Sequence, residues 1–401
     1  MNKLRDVVVT SALRTPIGKI GGALKDYSAD FLTKDVLLRL IEDSRLDSNE
    51  IDEVIIGQTK QSTDLPNIAR IASLLAKIPE TVPSYTVHRQ CASGLQSVIN
   101  GYLQILSGFS DIIIAGGVES MSTAPYYIRN GRYGFLSGNG EILDPNTESQ
   151  PKSQPEEVYG RFTMINTAEN LAEKYDISRE EQDEFALSSQ KKAINAIDNG
   201  LFKSEIVDIK ISGKRDSFTI FDTDEFPRRD TDMSKLAKLK PIFEGGTVTA
   251  GNASGRNDGA AGLVLMSIEK AKQLGAKPMV RIVSAAAIGV DPTVMGIGPV
   301  PATRKALKQA GLTLNDIDII EINEAFAAQT IACVKELNID QNKLNVNGGA
   351  IALGHPLGCS GSRISVTLIH EMLRRKARYG LATICVAGGL GVSVIYENLN
   401  L

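Results

Sequence analysis

The chain has 401 residues, of which 42% are hydrophobic and 23% charged, and its formal net charge is −3. This composition is typical of an ordinary globular protein, and the length exceeds that of one simple core, which predicts two or three domains. The slightly negative charge argues against nucleic-acid binding, although a local basic patch can still hold a small anionic ligand.

Membrane insertion and export are not expected. No apolar run reaches the ~18–20 residues needed to cross a bilayer. The N-terminus, MNKLRDVVVTSALRTP, leads directly into a strand-like VVV and lacks the features of a secretory signal. The four cysteines are scattered without CxxC spacing, at positions Cys91, Cys333, Cys359 and Cys385. We therefore expect reduced thiols in a cytoplasmic protein, without a metal site.

The first third of the chain alternates strand and helix patterns. Strands are predicted at VVVTSA (7–12), DEVIIGQ (52–58), VPSYTV (82–87) and SDIIIAGGVES (110–120). Helices are predicted at YSADFLTKDVLLRLIEDS (27–44), IARIASLLAKI (68–78) and GLQSVINGYLQILSG (94–108). This alternation indicates an α/β fold with a mostly parallel sheet and covering helices.

The middle of the chain differs in composition. Residues 123–165 are rich in Gly, Asn, Pro, Ser and Glu, which predicts a long loop. A strong helix follows, with a capping box formed by Ser178 and Glu181 at its start and Asn199-Gly200 at its end. The segment DEFPRRDTDMSKLAKLKP (224–241) is basic after its opening acids.

The last third repeats sequence words of the first. LDSNEIDEVIIG (46–57) resembles LTLNDIDIIEIN (312–323), and IIIAGGVES (112–120) resembles ICVAGGLGV (384–392). The pairs occur in the same order with similar internal spacing. We interpret them as two related α/β halves that arose by duplication, with the middle of the chain as an insertion.

Cys91 lies in VHRQCASGL, where a predicted strand ends and a helix begins. A helix N-terminus lowers the pKa of a thiol, and the small residues Ala92, Ser93 and Gly94 allow close approach to backbone N–H donors. A buried structural cysteine and a nucleophile are both compatible with this pattern. His88, three residues earlier, is either a polar strand-end residue or a neighbour of that nucleophile.

The segment GGAIALGHPLGCSG (348–361) presents one of only three histidines, His355, among glycines and a proline. Such a composition predicts a shaped loop that offers the imidazole to a ligand. His370 falls inside the following apolar helix, where a structural role is expected.

Cys385 and Asn323 fall at strand ends of the second half. Cys385 precedes glycines in ICVAGGLG, a pattern that by itself indicates an inert core thiol. If the two halves are duplicates, however, their equivalent strand ends can lie together, which would bring Cys385 close to Cys91 and His355. Asn323 and Glu324, in INEAFAAQ, are placed either to cap a helix or to orient a water or carbonyl. TVTAGNASGRNDGAA (247–261) lacks the patterns of nucleotide-binding loops and suits a long thin ligand.

Together these motifs resemble the thiolases, the acyl-CoA C-acyltransferases. CASGL, GGVES, TAGNASG, NDGAA, INEAFAAQ, NGGAIALGHPLGCSG and CVAGGLG follow in the order of that family over nearly the whole chain, and the resemblance is weakest at 123–165. It implies two βαβαβαββ halves in a five-layered αβαβα core with an inserted loop domain. The implied domains are 1–122, completed by about 249–275, then an insertion at 123–248 and a second half at 276–401.

The resemblance also implies a ping-pong mechanism. His355 would take the proton of Cys91, whose thiolate would attack a 3-oxoacyl-CoA. Cys385 would protonate the departing acetyl-CoA carbanion, or abstract the α-proton in synthesis. Asn323 would hold a water that forms one oxyanion hole with His355, and the backbone N–H groups of Cys91 and Ala387 would form the other.

Further implied features concern the ligand and assembly. Coenzyme A and acyl-CoA would bind as substrates, without a permanently bound cofactor or metal, and a homodimer or homotetramer is implied. Residues matching the family's CoA-contacting positions are Arg228, Phe243, Ala250, Ser254, Met164, Met295 and Phe326. An arginine suits the anionic cofactor, whereas Met295 and Phe326 are equally compatible with core packing.

The sequence departs from the family pattern at three places. Position 88 is His where the family usually has Asn or Asp, and position 387 is Ala where Gly is usual. Thr163-Met164-Ile165 replaces His-Met-Gly or Pro-Met-Gly, which argues against specificity for acetoacetyl-CoA. Two alternatives remain beside a competent thiolase: a non-catalytic acyl-CoA- or lipid-binding relative, and a decarboxylating ketosynthase, against which the second cysteine argues.

Overall fold

The computed structural model describes residues 4–213 and 217–401. The first part of the chain forms strands and helices at β1 (Val7–Arg14), β2 (Gly18–Lys19), α1 (Ala29–Ser44), β3 (Glu53–Gly57), α2 (Ile68–Leu75), β4 (Ser84–Val87), α3 (Ser93–Ser107) and β5 (Ile112–Ser120). The predicted strands and helices of this region are confirmed. Helix α3 ends at Gly108, whose φ of 80° is the left-handed conformation that glycine adopts readily at a helix C-terminus.

The middle of the chain forms a mainly helical insertion. Its elements are α4 (Pro145–Glu148), α5 (Glu156–Tyr159), α6 (Met164–Lys174), α7 (Arg179–Asp198), β6 (Ile209–Ser212), β7 (Phe218–Phe221) and α8 (Met233–Ala237). The predicted loop at 123–165 contains only single helical turns before α6 begins. The capping box of α7 is confirmed: Ser178 N–H donates to Glu181 Oε2 at 2.7 Å, and Glu181 N–H donates to Ser178 Oγ at 3.1 Å.

The remaining elements are β8 (Asn257–Ser267), α9 (Ile268–Leu274), β9 (Val280–Gly289), α10 (Pro299–Ala310), β10 (Ile319–Ile322), α11 (Ala327–Leu337), α12 (Ala350–Leu353), α13 (Leu357–Arg375), β11 (Tyr379–Val386) and β12 (Leu390–Asn398). The large sheet has the strand order β10-β11-β12-β9-β1-β8-β5-β3-β4. The two halves meet at β9 and β1, which share a short antiparallel contact, Val8 with Arg281 and Val9 with Val280.

The expectation of a mostly parallel sheet is wrong. Among the described residues, parallel pairing in this sheet is confined to β3 with β4 and β5, and β10 with β11; the other named strand pairs are antiparallel. Strand β12 returns beside β11 through a tight turn at Gly388 and Gly389, whose φ angles are 88° and 83°. A tight turn of this kind forces β12 to pair antiparallel with β11. Strand β8 follows the long insertion and also pairs antiparallel, with β5.

The two halves have the same topology, as the repeated sequence words predicted. Strands β1-β8-β5-β3 of the first half match β9-β12-β11-β10 of the second in order and in parallel or antiparallel pairing. The first half has one additional strand, β4. At the equivalent place the second half has only an isolated parallel bridge between Ile320 and Leu344.

The elements stack in five layers. Helices α1 and α2 cover one face of the first-half strands, and α10 and α11 cover the second-half strands, each over its own apolar core. Helices α3 and α13 contact each other between the two sets of strands, and α13 touches both β5 and β11. The central core accordingly joins side chains from both halves. This αβαβα arrangement places the N-termini of α3 and α13 side by side.

Candidate active site

Cys91 lies on the sharp connection between β4 and α3. Gln90, directly before it, has a φ of 44°, the left-handed region that is costly for a residue with a Cβ. Ser93 holds this turn: its Oγ accepts a hydrogen bond from Arg89 N–H at 2.9 Å and donates to the Gln90 carbonyl at 2.6 Å. The connection therefore presents Cys91 at the edge of the sheet, where its side chain remains partly accessible.

Close backbone packing brings the starts of α3 and α13 together. A Cβ on Gly94 would lie only 2.7 Å from the Gly358 carbonyl oxygen, and one on Gly117 would lie 2.1 Å from the same atom. Both positions therefore require glycine, since no Cβ tolerates such distances. The first turn of α3, which follows Cys91, thus contacts the first turn of α13, which follows His355.

Burial raises the pKa of the Cys91 thiol above its ordinary value. The backbone N–H of Ala387 and the positive charge of Lys60 oppose this effect, and Glu119 adds to it. The backbone N–H groups of Ala387 and Cys91 lower the pKa of the thiol, but desolvation outweighs them, so the net shift is opposite to the one that the helix N-terminus alone predicts. Formation of a thiolate requires a nearby proton acceptor.

The residue predicted to accept this proton is His355. Its backbone N–H donates to Asn257 Oδ1 at 2.9 Å, and its Nδ1 lies 2.5 Å from Ser360 Oγ. The Ser360 hydroxyl already donates its proton to the Pro356 carbonyl at 2.9 Å, so Nδ1 is the donor to Ser360. Nε2 then carries the lone pair of the ring, and Asn323 Nδ2 lies 3.4 Å from it.

Burial, and secondarily the charge of Arg363, lower the pKa of His355 to about 3. The imidazole is consequently neutral near physiological pH and able to accept a proton at Nε2.

Asn323 lies beside the imidazole, directly after β10. Its Nδ2 is 3.4 Å from His355 Nε2 and 3.5 Å from Nδ1, and its backbone N–H donates to the Thr383 carbonyl at 3.0 Å. The side chain is fully buried, and within the described ranges its Oδ1 has no hydrogen-bond partner. A buried acceptor in this state is suited to a water or ligand donor.

Cys385 is the penultimate residue of β11 and is 1% exposed. Burial raises the pKa of its thiol well above the ordinary value, and interaction with Cys91 raises it further. The two sulfhydryl groups are therefore neighbours, and Cys385 is held as a neutral thiol that can donate a proton. Three of the residues predicted to contact CoA share its apolar cluster: Met164, Met295 and Phe326.

The other predicted CoA-contacting residues lie on the insertion and the loop before β8. Arg228 and Ala250 line one cavity of about 120 Å³ together with Phe226 and Lys235. The Ser254 N–H donates to the Ala325 carbonyl at 3.0 Å, and neighbouring Ala253 bridges to Phe326, which joins this loop to the buried cluster. Phe243 is half-buried on the loop that precedes Ala250.

The structure also separates the remaining histidines. His88 is exposed. His370 lies inside α13, where Nε2 is 2.8 Å from the Ala12 carbonyl and Nδ1 is 3.1 Å from Ser204 Oγ. These contacts give His370 the structural role that its position predicted.

Sequence reasoning missed several buried polar groups that position the site. Glu119, at the end of β5, accepts hydrogen bonds from Lys60 N–H at 3.0 Å and Gly358 N–H at 2.9 Å. It therefore ties the end of β3 to the start of α13. Glu324, which the sequence pattern already indicated beside Asn323, accepts from Ser189 Oγ at 2.7 Å and from Asn345 Nδ2 at 2.8 Å.

The useful sequence signal for these groups was a carboxylate at the end of a buried strand or two residues past it: Glu119 in GGVES and Glu324 in INEAF. Ser360, five residues after His355, carried no comparable signal. Among the residues described here, no group of three or more His, Cys, Asp or Glu side chains could hold a metal ion. No described helix is both long and apolar enough to cross a bilayer.

Comparison with known proteins matches this chain to two family models, the thiolase N-terminal domain over residues 7–269 and the thiolase C-terminal domain over residues 276–398. The chain is 48% identical to an acetyl-CoA acetyltransferase of Pseudomonas aeruginosa, over 98% of this chain and 99% of that protein. It is 47% identical to an acetyl-CoA acetyltransferase of Syntrophomonas wolfei, over 98% of this chain and all of that protein.

Solved structures give the same picture. The Bacillus anthracis acetyl-CoA acetyltransferase superposes with a TM-score of 0.96 at 48% identity over the full length of both chains. Human mitochondrial 3-ketoacyl-CoA thiolase in complex with CoA superposes with a TM-score of 0.93 at 42% identity, covering 99% of this chain and 98% of that one. Sequence models, relatives and fold agree over both halves, and the chain belongs to the thiolase family.

Proposed function

We propose that the protein is an acyl-CoA C-acetyltransferase that cleaves 3-oxoacyl-CoA with CoA, or condenses acetyl-CoA in the reverse direction, through an acyl thioester on Cys91. The observation that carries this proposal is the interaction of two thiols, Cys91 and Cys385, where the start of α3 packs on the start of α13. Helix α13 directly follows His355, whose imidazole is neutral and oriented by Ser360. The family membership and full-length relatives support an enzyme rather than a non-catalytic acyl-CoA-binding protein.

In the first half-reaction, His355 Nε2 accepts the Cys91 proton and the thiolate attacks the 3-keto carbon. The backbone N–H groups of Cys91 and Ala387 stabilise the resulting oxyanion, in keeping with the interaction of the Ala387 N–H with the Cys91 sulfur. The bond between C2 and C3 then breaks. Its electron pair passes to the acetyl-CoA fragment, and the Cys385 thiol protonates that carbanion.

In the second half-reaction, the thiol of a second CoA gives its proton to the Cys385 thiolate and attacks the acyl group on Cys91. The Cys91 sulfur leaves and recovers its proton from His355, and the new acyl-CoA is released. The acetyl-CoA enolate oxygen formed in the first half-reaction is stabilised by His355, which then carries the Cys91 proton, and by a water on Asn323, whose free Oδ1 is available to accept from that water. Coenzyme A enters as a substrate along the loop before β8. Its adenosine end lies near Arg228, Phe243, Ala250 and Ser254, and its pantetheine arm lies near Met164, Met295 and Phe326.

The proposal extends to organisation. The chain divides into a first half at 1–122, completed by about 249–275, an insertion at 123–248 and a second half at 276–401. We further propose a cytoplasmic homodimer or homotetramer acting in fatty acid metabolism. The replacement of the family's histidine by Thr163 supports substrates with acyl groups other than acetoacetyl. Thr163 caps helix α6 instead: its N–H and Oγ1 both donate to Asn166 Oδ1, at 2.9 and 3.0 Å.

Thiolysis across a series of 3-oxoacyl-CoA chain lengths tests the proposal, measured as loss of enolate absorbance on addition of CoA. The wild-type protein should cleave at least one substrate, and Cys91→Ala should lose about 10⁴-fold or more in kcat. Cys333→Ala, which removes a buried thiol of α11, is the matched control and should retain activity. Failure of the wild-type protein to cleave any chain length while it binds acyl-CoA would contradict the proposal, and consumption of malonyl thioesters would indicate a decarboxylating enzyme instead.

A further inference from the structure

A buried lysine lies beside the nucleophile, and the mechanism above does not use it. Lys60 follows β3, has 7% of its surface exposed, and interacts electrostatically with Cys91. Burying an ammonium group in a protein interior is costly unless it is paired or functional. Its position therefore requires a compensating role.

Strand register explains why Lys60 and Cys91 are close. Strands β3 and β4 are parallel neighbours with Gly57 opposite Val87, and Gln58 N–H donates to the Val87 carbonyl at 3.1 Å. Lys60 and Cys91 follow these positions by three and four residues at the same sheet edge. A Cβ on Gly57 would lie 2.2 Å from the carbonyl carbon of Ser93, so the end of β3 is packed directly on the first turn of α3.

Two hydrogen bonds fix the ammonium group. Lys60 Nζ donates to the Pro145 carbonyl at 3.1 Å and to Ser149 Oγ at 2.5 Å, which are the start and the end of the single turn α4. Its backbone N–H donates to Glu119 Oε1 at 3.0 Å. The charge is therefore held in one place and is not free to move into solvent.

The charged and titratable groups around this pair come from several elements. Glu119 on β5 and Asp144 before α4 are the anions near Lys60, and Arg256 before β8 is a second cation. Cys385 on β11 faces Cys91. Glu119 is engaged by backbone N–H groups on both sides, at Thr59, Lys60 and Gly358, which reduces its repulsion of a thiolate.

We propose that Lys60 is a positioning residue whose fixed, buried ammonium favours the thiolate form of Cys91. The inference rests on Cys91 being the nucleophile of the proposed function. His355 is neutral in the free protein, so no imidazolium charge is available to stabilise the thiolate before proton transfer. Burial lowers the pKa of Lys60, and Glu119 and Cys91 oppose this effect; the Lys60 charge in turn partly offsets the desolvation of the sulfur.

The test is the pH dependence of alkylation of Cys91 by iodoacetamide, located on this residue by peptide mass spectrometry. Lys60→Met keeps the side-chain length and removes the charge, so we expect a higher pH midpoint and alkylation about tenfold slower at pH 7. Lys60→Arg should retain a profile close to that of the wild type. The matched control is Lys343→Met, because Lys343 likewise donates to a backbone carbonyl, that of Ile317 at 2.8 Å.

Two further variants separate the effect of the Lys60 charge from the effect of its hydrogen bonds to the α4 segment. Ser149→Ala removes one hydrogen bond but keeps the ammonium, and it should slow alkylation at pH 7 by less than about threefold. Asp144→Asn removes an anion near Lys60 and keeps a residue able to cap α4, so it should accelerate alkylation by about twofold. This variant of a partly buried loop residue tests the charge effect even if Lys60→Met does not fold.

The proposal is overturned if folded Lys60→Met has the wild-type pH profile, if Ser149→Ala slows alkylation as much as Lys60→Met, or if Asp144→Asn leaves the rate unchanged or lowers it. Alkylation requires no turnover. A wild-type protein with the expected alkylation behaviour but no thiolysis of any substrate would therefore contradict the proposed function and leave this inference standing.

Discussion

The two halves of the molecule share a strand order but differ in the segment that leads into the central helix, α3 in the first half and α13 in the second. In the first half, α3 follows a full strand, β4, and a turn with Gln90 in the left-handed region, which leaves Cys91 partly exposed. In the second half, α13 follows a single turn and a loop that buries His355 among Asn257, Asn323 and Ser360.

This difference shows what duplication provides and what it leaves open. The repeated fold brings two helix N-termini together at one place, because both halves have equivalent strand ends and equivalent central helices. Each half then supplies a different chemical group. The first half contributes an accessible nucleophile, and the second contributes a base and an acid whose protonation states are set by burial.

The largest expected effect in the second half comes from its proton donor. Cys385→Ser should lower kcat for thiolysis by ~10²–10⁴, because a hydroxyl is a much weaker acid than the thiol. Labelling of Cys91 by an acyl-CoA or by iodoacetamide should persist, which separates the two half-reactions. Rapid-quench measurements that compare the rate of Cys91 labelling by an acyl-CoA with the rate of thiolysis test this separation. Unchanged turnover in this variant would remove Cys385 from the mechanism.

A smaller effect is expected at the residue that orients the base. Ser360→Ala removes the acceptor of His355 Nδ1–H, and loss of one such buried hydrogen bond should lower kcat by about 5- to 100-fold. KM should change little, since Ser360 lies behind the imidazole. Ser362→Ala, which removes a hydroxyl bonded only to the helix carbonyl of Cys359, is the control. Equal losses in the two variants would indicate a general packing effect.

Glu321, the buried carboxyl residue of β10, makes the stability of the second half depend on pH. Burial is the first cause that raises the pKa of Glu321 to about 8; Arg363, with Nη1 at 3.9 Å from Glu321 Oε2, opposes it. A carboxyl whose folded pKa exceeds its unfolded value contributes stability below about pH 4.5, and that contribution is lost as pH rises towards 8. Thermal unfolding of Glu321→Gln should therefore lose less Tm between pH 5 and pH 8 than the wild type does.

For a chain of 401 residues, the expected difference in Tm is about 1 °C for each kcal/mol of linkage. Glu336→Gln provides a contrast, since the pKa of that exposed carboxyl is lowered by its hydrogen bonds to Tyr175 and then Arg304. If Glu321→Gln and wild type lose stability in parallel over this range, the Glu321 carboxyl is ionised in the folded protein and the sign of the linkage is wrong.

The local elements of the fold could be predicted because they depend on periodicity and on turn residues. Helix α1 follows the spacing of Leu32, Val36 and Leu40, all of which are buried, and α7 follows its capping box. The strand directions could not be predicted in the same way. A short sequence such as AGGLG does not determine which strand will be the neighbour of the next one. The prediction of a mostly parallel sheet was therefore wrong for β8 and β12, which pair antiparallel with their neighbours.

Sequence by itself determined the chemical groups of the site: a thiol before a helix, a histidine in a glycine-rich loop, and a second thiol before paired glycines. Only the tertiary structure decided their ionisation. Burial in the folded protein desolvates Cys91, Cys385 and His355, which raises both thiol pKa values and lowers that of the imidazole. Desolvation depends on every neighbouring atom, so no local pattern around Cys91 could have shown that burial outweighs the helix N-terminus.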